Sequence, residues 1–343
     1  MTKKTPVISL DDLITGLKDV DKPLPPFYLY RMSDLEGQEL NRFKAAWPSI
    51  PLWRRQSLLE DMESMADDDM LLSFEAVGQI ALQDEDPVVR QRAISVLWDY
   101  EDTRLTPKLI DLALKDPAAE VRASAAGALA PYIYMGEIDE IPKRTLHNIE
   151  ECLLKVMASG DEAAVRRSAL EALGYSSRPE VPGLIQWAYD TDTLEWVASA
   201  LYAMSRSADP SWKEQVLEML ESEAPSLRKE AARAAGELEL ADAAPMLLQM
   251  LDDPDQDTRL ASAWSLSQLG GEGVLEALQQ MYDEAEDDDE LDLIESALDN
   301  LAFTEDMQTL PFFDIVEDDL EFLEEDDEDA PQGKDEEDGD LTL

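Results

Sequence analysis

The residues with the most obvious chemical potential lie in the segment HNIEEC, where a histidine, two glutamates and a cysteine fall within six positions. On a helix, His147 and Glu151 would share one face and could hold a metal ion together, because residues four apart are neighbours there. His147, however, is the only histidine of the chain, and Cys152 is its only cysteine. Cys152 also falls on the apolar side of that helix with Ile149 and Leu153, where a free thiol packs as a small hydrophobic group. We therefore expect a packed thiol here and no metal site.

A second candidate is the alternation of aspartates in DPDQDTRLASAW, where Asp253, Asp255 and Asp257 could begin a calcium-binding loop. Such a loop needs glycine at its sixth position and glutamate at its twelfth, where this chain has Thr258 and Trp264. We therefore expect a solvated acidic turn. Phosphate-binding loops, dinucleotide fingerprints and nucleophile elbows are absent from the sequence as well. The motifs predict no catalytic residue, no metal, no cofactor and no enzymatic activity.

Arginines beside small residues in the segment DEAAVRRSALEALG raise the possibility of an anion-binding site. The same pattern recurs along the chain, however, with Arg166, Arg228 and Arg259 in one column at intervals of 31 residues or twice that. Arg90 and Arg122 extend the column towards the N-terminus at an interval of 32 residues. Recurrence of this kind is typical of repeat architectures and needs no ligand to explain it. We expect these arginines to pair with acids of the turns and to fix how the repeats stack.

Each repeat is predicted to be two helices joined by a turn. Turn segments such as KDPAA and DDPD supply aspartates that cap free N–H groups and prolines that suit a first helical turn. A column of small residues lets neighbouring helix axes approach to about 8 Å. Its members are Ala93, Ala125, Ala169, Ala200, Ala231, Ser262 and Ala297. We count eight helix pairs between about residues 33 and 303, and only stacking can bury their apolar faces.

This pattern resembles HEAT repeats, in the short bacterial form also called PBS-lyase HEAT-like repeats, well over residues 74–303 and weakly over 33–66. The resemblance implies an all-α fold: an α-solenoid of about eight stacked helix-turn-helix repeats with a disordered acidic C-terminal tail. It also implies a ladder between neighbouring repeats, in which a turn aspartate pairs with a second-helix arginine. The matching residues here are Asp86 with Arg90, Asp116 with Arg122, Asp161 with Arg166 and Asp253 with Arg259. Val197 and Ile294 depart from the arginine column, so we expect the ladder to be interrupted there.

HEAT-repeat proteins include many scaffolds and a few enzymes, so the resemblance leaves several functions open. In that family deoxyhypusine hydroxylase uses repeated His-Glu pairs, and this sequence contains no His-Glu dipeptide. Phycobilin lyases share the repeat, which makes a subunit or relative of such an enzyme one alternative. An acidic chaperone or nucleic-acid mimic is another. We favour a non-catalytic scaffold that binds another protein.

The charge of the chain restricts its partners. The sequence has 78 acidic and 28 basic residues, a formal net charge of −50, and 28 of the acids with a single lysine fall between Asp283 and Leu343. Such a chain repels nucleic-acid phosphates and anionic membrane surfaces, and it attracts cationic proteins. The N-terminal apolar stretch is broken by Asp11 and Asp12, and no run is long enough to span a membrane. We expect a cytoplasmic protein whose partner is a protein with a basic surface.

Three regions follow from these patterns. Residues 1–32 are predicted to be a lead segment in which Phe27, Tyr28 and Tyr30 cap the first repeat, residues 33–303 the solenoid, and residues 304–343 the acidic tail. The start of the tail could finish the solenoid, and its acidic and apolar residues could instead form a recognition element.

The residues predicted to contact a partner are of two kinds. In HEAT proteins the second helices line the inner face of the curve. The corresponding positions here are Arg167, Glu171, Arg178, Glu195, Lys229, Arg233 and Trp264. The tail contributes Phe312, Phe313, Leu320 and Phe322. We expect the curved solenoid surface and the acidic tail to bind the partner together.

Overall fold

A computed structural model describes residues 8–309, except residues 34, 70, 99, 192 and 286. For residues 67, 68 and 305–309 it describes the backbone but not the side chains. The described residues form helices and loops and contain no β-strand. The α-helices are α1 (Leu10–Lys18), α2 (Phe27–Tyr30), α3 (Gly37–Ala46), α4 (Leu52–Asp68), α5 (Glu75–Ala81), α6 (Pro87–Val96), α7 (Thr106–Lys115), α8 (Ala119–Gly127), α9 (Ala130–Glu137), α10 (Lys143–Met157), α11 (Ala163–Leu173), α12 (Val181–Tyr189), α13 (Leu194–Arg206), α14 (Lys213–Leu220), α15 (Pro225–Glu237), α16 (Ala244–Met250), α17 (Gln256–Leu269), α18 (Val274–Glu284) and α19 (Asp288–Thr309). Short 3₁₀ helices lie at Trp47–Ser49, Thr103–Leu105, Pro210–Trp212 and Ala241–Ala243.

Most of these helices form pairs that follow one another along the chain. The well-packed pairs are α5/α6, α7/α8, α10/α11, α12/α13, α14/α15, α16/α17 and α18/α19. The helices α3 and α4 precede them along the chain. The α9 helix lies in the insertion between α8 and α10 and packs against α10. The predicted all-α solenoid of about eight repeats is confirmed over the described residues.

Capping side chains start several second helices where the sequence predicted turns. Asp86 accepts a hydrogen bond from the backbone N–H of Val89 at 3.1 Å, and Asp255 accepts one from Thr258 at 2.9 Å. Pro87 and Pro225 occupy the first turns of α6 and α15. A proline there costs no hydrogen bond, because its missing N–H would lack a helical partner in any case. Local turn chemistry therefore fixes where these second helices begin.

The second helices of the pairs pack side by side, and we call this layer the second-helix row (α4, α6, α8, α11, α13, α15, α17 and α19). Contacts between neighbours in this row are more extensive than those between consecutive first helices. All seven residues of the small column are buried in it. A β-carbon added at Gly174 would lie only 2.7 Å from the carbonyl oxygen of Ala203, which shows how closely α11 and α13 approach. The second-helix row is therefore the more tightly packed layer of the solenoid.

The N-terminal helices cover the first repeats with aliphatic side chains. Leu13 and Leu17 of α1 are fully buried, as is Met32 just after α2. Tyr30, in contrast, is 51% exposed, and Phe27 is more than one-third exposed. Of the three predicted cap residues, Tyr28 therefore packs against the core, whereas Phe27 and Tyr30 remain exposed. At the other end α19 continues past Phe303 to Thr309.

Candidate partner-binding groove

Arginines of the second-helix row connect each repeat to the next. Arg90 donates two hydrogen bonds to Asp116, from Nε to Oδ2 at 2.8 Å and from Nη2 to Oδ1 at 2.7 Å. Arg122 makes the same two-pronged contact with Asp161 at 2.8 and 2.6 Å. Parallel N–H···O bonds of this kind fix geometry as well as adding energy. The arginines therefore hold consecutive layers in one register.

The ladder continues near the C-terminal end of the described residues. Arg228 donates to both carboxylate oxygens of Asp253, each at 2.8 Å. Arg259 then donates to the backbone carbonyl of Asp253 at 3.0 Å and to Glu290 at 3.1 Å. The bonds from the arginines lower the pKa values of Asp161 and Asp253 below their usual range. These acids are therefore held in the charged form.

The predicted partners of the ladder arginines were wrong, since Arg90, Arg122 and Arg228 each reach the acid of the following turn. In its own turn an arginine binds backbone carbonyls instead, as Arg90 does with Asp84 at 2.9 Å. Asp86 pairs with no arginine in the described residues, because its carboxylate caps α6. The first ladder acid is Asp84, which is buried and accepts hydrogen bonds from Arg55 and, at 2.7 Å, from Trp47. Its position six residues before Arg90, like that of Asp116 before Arg122, was the signal in the sequence.

Arg166 contacts aromatic rings of the next repeat. Within the described part of the chain no carboxylate lies within ion-pair distance of it, so its predicted pairing with Asp161 was wrong. Its guanidinium lies 5.4 Å from the ring centres of both Trp187 and Trp196, and its Nε donates to the carbonyl of Met157 at 3.0 Å. Contacts of a guanidinium with indole rings at this distance are cation–π interactions.

The outward positions of α13, α15, α17 and α19 line a groove of about 650 Å³ on the second-helix row. Two columns with the 31-residue spacing converge there: Tyr202, Arg233 and Trp264 in one, Lys229 and Leu260 in the other. We call this feature the second-helix groove. Its walls also include Tyr175, Arg206, Glu237, Asp257 and Leu293. The predicted residues Lys229, Arg233 and Trp264 are thus brought together by the fold.

Three cations of the groove have different partners. Lys229 forms an ion pair with Asp257 at 3.0 Å, and Arg233 lies 3.5 Å from a carboxylate oxygen of Glu230. Arg206 stacks over Tyr175 at 4.7 Å and over Tyr202 at 4.1 Å, and donates to the Tyr202 hydroxyl. No carboxylate of the described residues lies within ion-pair distance of Arg206. Its charge is therefore available to an anionic group that enters the groove.

A half-buried acid lies below these cations. The side chain of Glu230 is only 16% exposed, and one of its carboxylate oxygens is buried without a hydrogen-bond partner among the described residues. Burial raises the pKa of Glu230, the charges of Arg233 and Lys229 oppose that rise, and the nearby Glu171 adds to it.

Other predicted contact residues lie elsewhere on the row. Glu171 accepts a hydrogen bond from Ser199 at 2.5 Å, and Arg167 donates to the backbone carbonyl of Glu195 at 3.3 Å. These three residues lie on α11 and α13, beyond the walls of the groove. Arg178 was wrongly placed on a second helix.

Arg178 follows α11 in a loop and faces a first helix. It lies 3.0 Å from Glu151 and 2.9 Å from Glu180, with Glu150 at 3.8 Å. The three carboxylates neutralise the charge of this guanidinium, so it attracts a partner only weakly. Phe312, Phe313, Leu320 and Phe322 lie outside the described residues.

The thiol of the candidate metal segment is buried, and burial raises the pKa of Cys152 to about 11. His147 is exposed on α10. Over the described residues, no group of three or more histidine, cysteine or acidic side chains is arranged to hold a metal ion. The described helices also include none with the length and apolar character to cross a membrane.

The sequence reasoning missed most residues of the groove walls, including Tyr175, Tyr202 and Arg206. Tyr175 and Arg206 occupy equivalent positions 31 residues apart, and Tyr202 stands in the same column as Arg233 and Trp264. The repeat spacing could have identified them, because every residue of a column faces the same way. Leu293 carried no such signal, since the acidic insertion before α19 shifts the numbering.

Comparison with known proteins identifies one matching family model and several similar solved structures. A family model described as HEAT repeats matches residues 74–143 and 214–299, and no curated protein matches the chain. Similar solved structures include human deoxyhypusine hydroxylase, with 20% identity, coverage of 86% of this chain and 96% of that chain, and a TM-score of 0.36. The complex of CpcE and CpcF of phycocyanin lyase from Nostoc has 16% identity, coverage of 88% and 97%, and a TM-score of 0.43. Yeast importin-beta has 11% identity, coverage of 85% and 46%, and a TM-score of 0.48. The chain therefore contains HEAT repeats, with residues 74–143 and 214–299 as the parts that match the family.

Proposed function

We propose that this protein is a non-catalytic scaffold that binds another protein along the second-helix row, with the second-helix groove as the main contact. The observation that carries the proposal is the gathering of Tyr202, Trp264 and Arg206 with two further cations in one open groove. Aromatic residues and arginine dominate the binding energy of protein interfaces. Aromatic rings bury large areas and lose little conformational freedom, and arginine offers several hydrogen-bond donors. Trp264 remains 41% exposed and is available for such burial.

The arginine ladder supports this role because it holds the walls of the groove in place. Arg228 lies on α15, one wall, and its bonds to Asp253 tie α15 to the turn that precedes α17. Rigid walls lower the entropy lost when a partner binds. The groove is therefore formed before the partner arrives.

The charge distribution supports a partner with two kinds of surface. The net charge of −50 attracts a basic protein surface and speeds its encounter with the chain. The groove differs from that acidic exterior, since Arg206 and Arg233 offer cations between apolar walls. We propose that a basic surface of the partner contacts the acidic exterior while apolar or acidic side chains of the partner enter the groove.

The proposal is tested by capturing proteins from extracts of the source cells with three forms of the full chain. They are the wild type, the groove variant Arg233→Glu/Trp264→Ala, and the matched control Lys213→Glu/Tyr282→Ala. The control reverses one cation and removes one aromatic ring on the first helices α14 and α18, where both side chains are exposed to a similar degree. Circular dichroism checks that all three forms are folded.

We expect wild type and control to retain the same protein and the groove variant to lose it. With that protein purified, calorimetry should show binding to the groove variant weakened by about thirtyfold or more, as expected when an interface tryptophan is removed. Equal affinity for all three forms would exclude the groove as the contact surface.

A further inference from the structure

The second-helix groove exposes several apolar side chains to solvent. Leu293 is 54% exposed and Trp264 is 41% exposed, and both line the same groove as Tyr202 and Leu260. Contiguous exposed apolar surface of this kind marks a binding site. The cations beside it, Arg206 without a carboxylate in the described residues and Arg233 with a side chain 52% exposed, favour an occupant that is both apolar and acidic.

The chain itself contains a segment with this composition. Residues 315–323, IVEDDLEFL, combine four acids with five apolar residues, and they follow the end of α19 at Thr309 after only five positions. Leu293, on a wall of the groove, belongs to the same helix. The segment is therefore tethered to the surface whose chemistry it complements.

The length of the intervening chain determines which tail residues can reach the groove. Leu293 lies about 24 Å from Thr309 along α19, at about 1.5 Å per residue. An extended chain covers at most about 3.5 Å per residue, so Phe313 can lie about 14 Å from Thr309, whereas Leu320 and Phe322 can lie about 39 and 45 Å away. Only the second group can fold back to the groove. Phe312 and Phe313 are too close to the end of α19 to do so.

We propose that residues 315–323 dock into the second-helix groove of the same chain. Leu320 and Phe322 pack against Trp264 and Leu293, and the neighbouring acids face Arg206 and Arg233. The inference rests on the proposed function, because it names residues 315–323 as a ligand of the proposed binding groove. An external partner must displace these residues in order to bind. A short tether provides a millimolar effective concentration, so even a weak contact keeps the groove occupied.

Photocrosslinking in the full chain tests the docking directly. Phe322 is replaced by the aromatic photoreactive residue p-benzoylphenylalanine, and crosslinked peptides are identified by mass spectrometry. We expect crosslinks within one chain to α15, α17 and α19, with a yield that does not change on dilution. Adding Arg233→Glu should lower that yield about tenfold, because it replaces an attraction with a like-charge contact. Adding Lys213→Glu, the matched reversal on α14, should leave the yield unchanged.

Two results would overturn the docking: crosslinks that fall outside the groove or are absent, and crosslinks between chains that disappear on dilution. A second variant separates this inference from the proposed function. Leu320→Asp/Phe322→Asp should increase capture of the groove partner, because it removes the competitor. If capture does not change while Arg233→Glu/Trp264→Ala still abolishes it, the scaffold stands and the docked tail is rejected.

Discussion

At the scale of single residues, one column of the repeat serves two different contacts. Arg228 binds both carboxylate oxygens of Asp253, whereas Arg166, at an equivalent position, lies between Trp187 and Trp196. The side chains are identical, and the residues supplied by the next repeat differ. The contacts described for these two side chains across the layer therefore come from the following repeat.

The ladder acids should make stability depend on pH below the ordinary range of aspartate. The bond from Arg228 lowers the pKa of Asp253 in the folded chain, so near and below 3.8 the unfolded chain binds more protons than the folded one. The contribution of the pair is therefore complete above that pH and is lost as the pH falls further.

We expect the free energy of unfolding to fall less steeply in Asp253→Asn than in wild type between about pH 5 and pH 3, because the substituted side chain no longer titrates. Urea denaturation at several pH values measures this difference. Asp252→Asn, which changes an exposed neighbour, is the control and should follow the wild type. Identical pH dependence in wild type and Asp253→Asn would show that the Arg228–Asp253 pair does not contribute to the fall in the free energy of unfolding in acid.

At the scale of helices, small residues decide how closely the second-helix row packs. The buried alanines of the small column and Gly174 bring the backbones of α11 and α13 together. Side chains of this size bury little area, so close approach is what allows many atoms to remain in contact.

Gly174→Ala should therefore destabilise the protein although alanine is the better helix former. Its β-carbon would lie 2.7 Å from the carbonyl oxygen of Ala203 and 2.9 Å from that residue's Cα, atoms that cannot move without separating two helices. We expect a loss of about 1–3 kcal/mol, the usual cost of overpacking, in urea denaturation. Gly183→Ala, in open space on α12, is the matched control and should gain about 0.5–1 kcal/mol. A gain at both positions would contradict the close packing.

At the scale of the whole molecule, charge is distributed unevenly. The chain carries a net charge of −50, yet the second-helix groove assembles Arg206, Lys229 and Arg233 with only a few acids. Repulsion among the remaining carboxylates opposes the compact state, whereas the groove attracts an anionic group. The molecule thus combines an acidic exterior with a groove that contains cations. In the two proposals, a basic surface of the partner contacts the exterior, and the acidic residues of the tail contact the groove.

Salt should consequently stabilise this protein. Raising sodium chloride from about 0.02 M to 0.5 M shortens the screening length from roughly 20 Å to 4 Å, which weakens the self-repulsion of the acids. We expect the midpoint of thermal unfolding to rise by several degrees, as measured by calorimetry. Potassium chloride should act equally, because screening depends on ionic strength. A midpoint that falls with salt would mean that surface ion pairs outweigh the repulsion.

The sequence by itself determined the repeat, since the interval of 31 residues, the capping turns and the small column are local or periodic patterns. From these the helix pairs, their number and the burial of Ala169 or Ala231 follow directly. The same patterns identified Lys229, Arg233 and Trp264 as residues of one face.

Only the tertiary structure decided which residues meet between repeats. The partner of Arg122 lies 39 residues away at Asp161, across an insertion, and the rings around Arg166 come from two later helices. A residue's turn is fixed by its neighbours in sequence, whereas its contacts across a layer depend on how far the layers are displaced and rotated. That displacement is set by the packing of whole helices, so the ladder partners and the walls of the groove emerge only when the repeats are stacked.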